Sequence, residues 1–211
     1  RSMVQNWYED RRRYGNPEKG VNSMVRGTLT FISGGVRSGK TGFAEEWLMN
    51  RSCSRLIYLA TGVASDSEME QRIKRHQQDR KDYKNNWLTI EQPRKIEEIL
   101  SHIRPDDGVL IDCITTWLAN ELYEGWAMDD PCFKRENCME EKERRFQETI
   151  YSLLKNGTTL VVISNEVLDE PLSRIPDVVL YQQWLGRLHQ WLVKECDYAY
   201  ELTYGLAKKW K

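Results

Sequence analysis

Residues 34–41 read GGVRSGKT and match the phosphate-binding pattern G-x-x-x-x-G-K-[ST] at every fixed position. The segment follows an apolar run at 29–32 and precedes a helix-like stretch at 43–48, so it joins a buried strand to a helix. Glycines let the backbone curl until its N–H groups point at phosphate oxygens, and the helix N-terminus adds its positive end. The alternative is an ordinary glycine-rich turn. Because motif and context agree, we predict a nucleoside triphosphate site.

Every residue of this loop is a candidate contact of the nucleotide. The pattern assigns Lys40 to the β- and γ-phosphates and the hydroxyl of Thr41 to Mg²⁺. The loop therefore predicts GTP or ATP together with Mg²⁺, and it leaves open which base is bound. The nucleotide-binding candidates in the loop are Gly34, Gly35, Val36, Arg37, Ser38, Gly39, Lys40 and Thr41.

Continuously apolar runs recur along the chain and indicate parallel strands that are covered on both faces. Stretches with helical spacing separate these runs. The order predicts an α/β fold, a P-loop (RecA-like), doubly wound and mostly parallel sheet with helices on both faces. We expect strands at 29–33, 55–60, 108–112, 158–164 and 198–202. We expect helical segments at 66–80, 94–103, 114–123, 131–155 and 178–194.

The segment 131–155 is predicted to be one long charged helix. Asp130 is placed to cap it, Pro131 suits its first turn, and Asn156 with Gly157 is placed to end it. Its apolar residues form one narrow stripe, made of Met139, Phe146, Ile150, Leu153 and Leu154.

The 211-residue chain is long enough for one domain with a sizeable core. Residues 1–27 lack apolar periodicity, and we interpret them as an N-terminal extension. We therefore expect a single nucleotide-binding transferase domain at 28–211.

Composition argues against several classes of partner. The chain has 31 basic and 32 acidic residues, so it lacks the excess of positive charge that is typical of nucleic-acid-binding proteins. No apolar run approaches the roughly 20 residues of a membrane span, and the polar first residues do not resemble a signal peptide. The five cysteines show no C-x-x-C spacing. They favour free thiols in a reducing cytoplasm over a disulfide framework or a metal site.

Asp112 ends the apolar strand predicted at 108–112. In P-loop proteins a carboxylate at this point holds Mg²⁺, directly or through water. The alternative is an ordinary helix cap, because Thr115 and Thr116 follow. Ligands of open α/β sheets gather at the carboxyl ends of strands, so Thr61 and Asn165 are also candidates.

His76 is one of only three histidines, and it lies on a charged segment that follows the second strand. From composition alone it is an exposed helix residue. A neutral imidazole can also attack phosphorus and form a phosphoramidate that is later transferred. Arg72 and Arg75 lie close by in sequence and could balance the phosphate charge.

Several segments together resemble the bifunctional adenosylcobinamide kinase/adenosylcobinamide-phosphate guanylyltransferase family. The similarity runs from about residue 28 to the C-terminus. Its most specific part is the combination of the P-loop, Asp-Cys-Ile-Thr-Thr and Asn-Glu-Val. The matching pieces are 32–41, 44–45, 58–61, 66–69, 72–73 with His76, 87–91, 112–116 with Asn120, 164–167, and 186–188 with Gln190.

The resemblance implies two reactions. A nucleoside triphosphate phosphorylates the aminopropanol hydroxyl of adenosylcobinamide, and GTP then guanylylates a histidine that aligns with His76. The GMP passes to adenosylcobinamide phosphate and gives adenosylcobinamide-GDP. The resemblance further implies catalytic roles for His76 and Lys40, nucleotide contacts at Thr61, Glu91 and Asp112, and a homotrimer. The cysteine usage adds the expectation of a cytoplasmic location.

The chain departs from the family pattern at a few positions. Arg75 stands where the family has a second histidine, Arg80 is followed by Lys81 instead of proline, and His189 replaces an expected asparagine. The segment at 168–173 replaces a glycine-rich stretch. Two alternatives stay open: a P-loop kinase of another small molecule without the histidine step, and a non-catalytic nucleotide-binding module.

Overall fold

The computed structural model describes residues 26–62, 87–167 and 175–211. Within these ranges, seven strands form one sheet with the order β3-β2-β4-β5-β1-β6-β7. All neighbouring strands are parallel except β6 and β7, which are antiparallel. The strands are β1 Leu29–Gly34, β2 Leu56–Ala60, β3 Trp87–Glu91, β4 Gly108–Asp112, β5 Thr159–Asn165, β6 Tyr198–Thr203 and β7 Leu206–Lys209. The α-helices are α1 Lys40–Met49, α2 Ile114–Leu122, α3 Cys138–Lys155 and α4 Pro176–Glu195.

The central strands are apolar on both faces, and each face packs against its own layer. In β5, Leu160 and Val162 join the core that helices α2, α3 and α4 cover. Val161 and Ile163 join the second core, which helix α1 covers. This arrangement confirms the predicted α/β class, with a mostly parallel sheet and helices on both faces.

The five predicted strands are present, with ends within one or two residues of those expected. Two strands were not predicted. Strand β3 is half-exposed along its length and β7 is exposed throughout, so neither has the apolar run that marks the central strands. Both lie at sheet edges, where short and polar strands are common.

The prediction of one helix at 131–155 was wrong at its N-terminal end. Cys132–Lys134 form a separate 3₁₀ turn, and α3 begins only at Cys138. Asn137 has φ 55°, a left-handed conformation that an α-helix interior does not accept, so the helix starts after it. The predicted end is confirmed, because α3 stops at Lys155 and Gly157 has φ 86°. The predicted apolar stripe is buried.

Three other predicted helical segments lie within the described residues, and all three are present. The segment expected at 94–103 is a 3₁₀ helix, Ile96–Ser101. Helices α2 and α4 match the expected segments. The helix expected at 66–80 and the extension at 1–25 lie outside the described residues, so the domain boundary near residue 27 stays a prediction. Among the helices of the described ranges, none combines the length and apolarity that crossing a membrane requires.

The expectation that all five cysteines are free thiols was wrong for two of them. Cys132 and Cys138 form a disulfide across the turn that precedes α3. The break before α3 brings these residues together, whereas a continuous helix would not. Cys53, Cys113 and Cys196 are free.

The disulfide predicts a specific thiol count. In denaturant without reductant, thiol titration should find three of the five cysteines, and five after reduction. Because the bridge closes a short loop, reduction should lower the free energy of unfolding by about 2 kcal/mol. The stability of Cys138→Ser should no longer respond to reductant. Five reactive thiols in the untreated protein would contradict the bridge.

Candidate nucleotide site

The P-loop connects the end of β1 to the first turn of α1. Gly39 has φ 89°, which turns the chain into the helix at Lys40. Within the loop, the N–H of Ser38 donates to the Gly35 carbonyl at 3.2 Å. The Lys40 ammonium donates to the same carbonyl at 3.0 Å. The loop therefore holds its lysine against its own backbone, at the positive end of α1.

The first glycine of the loop is required by a close approach of two strands. A Cβ atom at Gly34 would lie 2.5 Å from the Leu202 carbonyl oxygen of β6 and 2.7 Å from the Ser38 hydroxyl. Both contacts are far shorter than van der Waals distance, so a side chain here would push the loop off the sheet. The start of the loop is thus fixed by packing against β6.

Asp112, at the end of β4, accepts a hydrogen bond from helix α1, which follows the P-loop. The Thr41 hydroxyl donates to Asp112 Oδ2 at 3.0 Å, across the intervening strand β5. The Tyr58 hydroxyl donates to the same oxygen at 2.6 Å. Asp112 itself caps no helix, because α2 has Cys113 at its N-cap and no side-chain cap. The structure thus brings Thr41 and Asp112 together, as a shared Mg²⁺ site requires.

These residues fit a magnesium ion held mainly by the nucleotide. No group of three or more His, Cys, Asp or Glu side chains in the described ranges could hold a metal unaided. Mg²⁺ in nucleotide sites typically uses one or two protein oxygens, substrate phosphates and several waters. The Thr41 hydroxyl and the Asp112 carboxylate are oxygen ligands of this kind.

Thr61 lies directly after β2, and its hydroxyl forms hydrogen bonds with the backbone of Cys113. It donates to the Cys113 carbonyl and accepts from the Cys113 N–H, both at 2.8 Å, and it is fully buried. The Asn120 amide donates to the carbonyls of Thr61 and Pro93, so it connects the loop after β2 to the loop after β3. Glu91 ends β3 opposite Ala60 and is exposed. The ends of β2, β3 and β4 are therefore braced together.

The end of β5 carries a second polar network. The Asn165 amide donates to the Thr115 hydroxyl at 3.1 Å, and the Tyr181 hydroxyl donates to the Thr115 carbonyl at 3.0 Å. Ser164 Oγ lies 2.6 Å from His189 Nε2 on α4. Burial lowers the pKa of the His189 imidazole from 6.5 to about 4, so this histidine is neutral at physiological pH.

The structure places the predicted residues in three ways. The loop residues 34–41 and Asp112 meet at one edge of the sheet. Thr61 follows the end of β2 and Glu91 ends β3, so both lie along the same edge. His76 lies outside the described residues, and its role stays a prediction.

The contribution of Tyr58 was not anticipated from the sequence. Its strand reads LIYLA, and the one available signal is a polar-tipped aromatic within an otherwise aliphatic buried strand. A buried tyrosine needs a hydrogen-bond acceptor, and here Asp112 provides it.

The P-loop follows the end of β1, and its Thr41 is hydrogen-bonded to the carboxylate at the end of β4. These features define the chain as a P-loop nucleotide-binding α/β protein. Its sequence matches the family described as cobinamide kinase / cobinamide phosphate guanyltransferase over residues 30–210. The chain belongs to this family, which confirms the resemblance seen in its motifs.

Two relatives illustrate the match. The chain is 28% identical over 188 residues to the bifunctional adenosylcobalamin biosynthesis protein CobU of Escherichia coli, covering 87% of this chain and 99% of the relative. It is 30% identical over 170 residues to the bifunctional adenosylcobalamin biosynthesis protein CobP of Pseudomonas aeruginosa, covering 79% and 87%.

Similar solved structures are distant. An ATPase from the type III secretion system of pathogenic bacteria aligns with a TM-score of 0.48 at 12% identity, over 87% of this chain and 57% of that one. The RadB recombinase aligns with a TM-score of 0.42 at 15% identity, over 85% and 76%. The family assignment rests on the sequence relatives, and these likenesses add nothing to it.

The close approach at Gly34 predicts a strong effect of one methyl group. Gly34→Ala should lower the free energy of unfolding by about 2 kcal/mol through overpacking, and should weaken GTP binding because the loop must shift. Gly42→Ala is the matched control, because its Cβ meets nothing within 4 Å. In the helix it should be neutral or stabilising by up to about 1 kcal/mol. Denaturant unfolding and nucleotide titration measure both effects, and equal behaviour of the two variants would contradict the packing.

The buried histidine predicts a pH-dependent stability. The unfolded chain binds a proton at His189 near pH 6.5, whereas the folded chain does so only near pH 4. The contribution of His189 is therefore full above pH 6.5 and falls between pH 6.5 and 4, by roughly 3 kcal/mol. The free energy of unfolding should differ between pH 7 and pH 4.5, and His189→Gln should remove the part of this difference that His189 contributes. His102→Gln, at an exposed histidine outside this network, is the control substitution, and an equal effect of the two substitutions would contradict the role of His189.

Proposed function

We propose that this chain phosphorylates adenosylcobinamide with a nucleoside triphosphate, and then transfers GMP from GTP to the product through His76. The observation that carries the proposal is the Thr41–Asp112 hydrogen bond at the P-loop of a member of this family. That bond joins the two protein groups that a magnesium nucleotide needs, in a family described by both reactions.

The kinase step needs positioning and charge neutralisation more than covalent help. The loop N–H groups and the Lys40 ammonium neutralise the phosphate oxygens, and the start of α1 adds its dipole. Thr41 and Asp112 would hold Mg²⁺, which would supply further positive charge to the phosphates. The substrate hydroxyl attacks the γ-phosphorus and loses its proton to solvent, the bond from that phosphorus to the β-phosphate oxygen breaks, and the nucleoside diphosphate leaves.

The guanylyl step uses a histidine nucleophile. An imidazole nitrogen of His76 attacks the α-phosphorus of GTP, pyrophosphate leaves, and a nitrogen–phosphorus bond forms. A phosphate oxygen of adenosylcobinamide phosphate then attacks the same phosphorus and releases the histidine. The segment that carries His76 leaves β2 after Thr61, and Thr61 is bonded to Cys113 beside Asp112. It therefore starts at the nucleotide edge of the sheet, which supports this role.

Finer features belong to the same proposal. We infer Mg²⁺ as the cofactor, a contact of Glu91 with the nucleotide, a supporting role for the buried Thr61 beneath it, a homotrimer, a cytoplasmic location, and no nucleic acid partner. Their support is the motif chemistry, the family resemblance and the balanced charge. Disulfides are rare in a reducing cytoplasm. The Cys132–Cys138 bridge therefore counts against a cytoplasmic location.

The histidine step predicts a covalent adduct. After incubation with GTP and Mg²⁺, intact mass should show one added GMP, labile to acid and stable to alkali. His76→Asn should lose the adduct and retain phosphorylation of adenosylcobinamide. The matched control His102→Asn alters an exposed histidine and should keep both.

Two results would contradict the proposal. An adduct that persists in His76→Asn would exclude this histidine as the nucleophile. Kinase turnover with no adduct in the unaltered protein would exclude the guanylyl step, and would favour a kinase that has lost it.

A further inference from the structure

Two hydroxyl groups converge on a single oxygen of Asp112. Tyr58 donates to Oδ2 at 2.6 Å and Thr41 donates to the same atom at 3.0 Å. A carboxylate held at one oxygen by two donors cannot rotate freely about its Cβ–Cγ bond. Its other oxygen, Oδ1, is then the one that can face a metal ion or a metal-bound water.

The position of Tyr58 follows from strand register. In the parallel pair β2 and β4, Tyr58 lies opposite Leu110, and Ala60 lies opposite Asp112. Side chains two residues apart share a face of a strand, so Tyr58 and Asp112 are diagonal neighbours on the α1 face. A tyrosine is long enough to reach Asp112 across this diagonal, as its 2.6 Å hydrogen bond shows, whereas an aliphatic side chain has no group to donate at its end.

The ring of Tyr58 has little freedom to move. It is 7% exposed and belongs to the core cluster that also contains Ala60, Leu110 and Cys113. A buried phenol must keep its hydroxyl paired. Packing therefore fixes the ring, and the ring fixes the direction from which Asp112 is bonded.

We propose that Tyr58 is a positioning residue for the magnesium nucleotide, acting through Asp112. It holds the carboxylate by Oδ2, so that Oδ1 would be left to bind the metal, while the Thr41 hydroxyl donates its proton to Oδ2 and would offer its lone pairs to the ion. This inference rests on the proposed use of Mg²⁺ between Thr41 and Asp112. Hydrogen-bond partners of metal-binding carboxylates commonly set metal affinity in this way.

Tyr58→Phe tests the inference because it deletes only the hydroxyl. Binding of Mn²⁺, a paramagnetic substitute for Mg²⁺, is measured by electron paramagnetic resonance with a non-hydrolysable GTP analogue. We expect about a tenfold loss of Mn²⁺ affinity. The affinity for the analogue without metal should change less than twofold, because the P-loop is unaltered.

Tyr123→Phe is the matched control. Its hydroxyl also donates to a carboxylate, Asp177, at 2.8 Å, but this pair joins α2 to α4 and does not touch the P-loop or Asp112. The control loses a bond of the same kind, so it should keep wild-type Mn²⁺ affinity. Thermal denaturation of each metal-free variant measures the purely structural cost.

A double-mutant cycle separates positioning from general stability. If Tyr58 acts through Asp112, then Tyr58→Phe should have no further effect on Mn²⁺ affinity in an Asp112→Asn background. Additive losses, or unchanged affinity in the single variant with lowered thermal stability, would overturn the inference. The metal-binding measurement needs no corrinoid and no GMP adduct, so failure of the guanylyl step leaves this test intact.

Discussion

The hydrogen bond between Thr41 and Asp112 depends on the order of the strands. Strand β5 lies between β1 and β4, and all three run parallel, so their carboxyl ends meet at one edge of the sheet. The P-loop leaves from the first of these ends and Asp112 stands at another. A one-residue slip of β4 would turn Asp112 to the opposite face of the sheet, away from α1. Because β4 is apolar on both faces, its hydrophobic pattern alone does not fix this register. Pairing with β2 on one side and β5 on the other fixes it.

The same edge is stiffened by polar groups that do not need to contact a nucleotide. The paired bonds between the Thr61 hydroxyl and the Cys113 backbone join two neighbouring strand ends, and Asn120 extends the connection to Pro93. Buried donors and acceptors that lose their partners cost about 1–3 kcal/mol each, so these loops have few alternative arrangements. Phosphoryl transfer depends on preorganised positions, and this brace supplies a rigid base for them.

Features that are local in sequence could be predicted, and features set by distant contacts could not. The P-loop and the central strands are evident because short motifs and apolar runs specify them. Strands β3 and β7 were missed because edge strands bury little. The start of α3 was wrong because it depends on the left-handed Asn137 and on the contact between Cys132 and Cys138. The role of Tyr58 was missed because its acceptor lies 54 residues further along the chain.

His189 stands where the family pattern predicts an asparagine, and its surroundings keep its ring neutral. An asparagine side chain offers one acceptor and one donor group, and a neutral imidazole offers the same pair. Burial lowers the pKa of His189 to about 4, so its ring stays neutral and bonds Ser164, next to Asn165 at the nucleotide edge. A charged ring here would bring a positive charge beneath the end of β5. The neutral ring therefore adds no charge at this end of the sheet, and its hydrogen bond to Ser164 anchors α4 to β5.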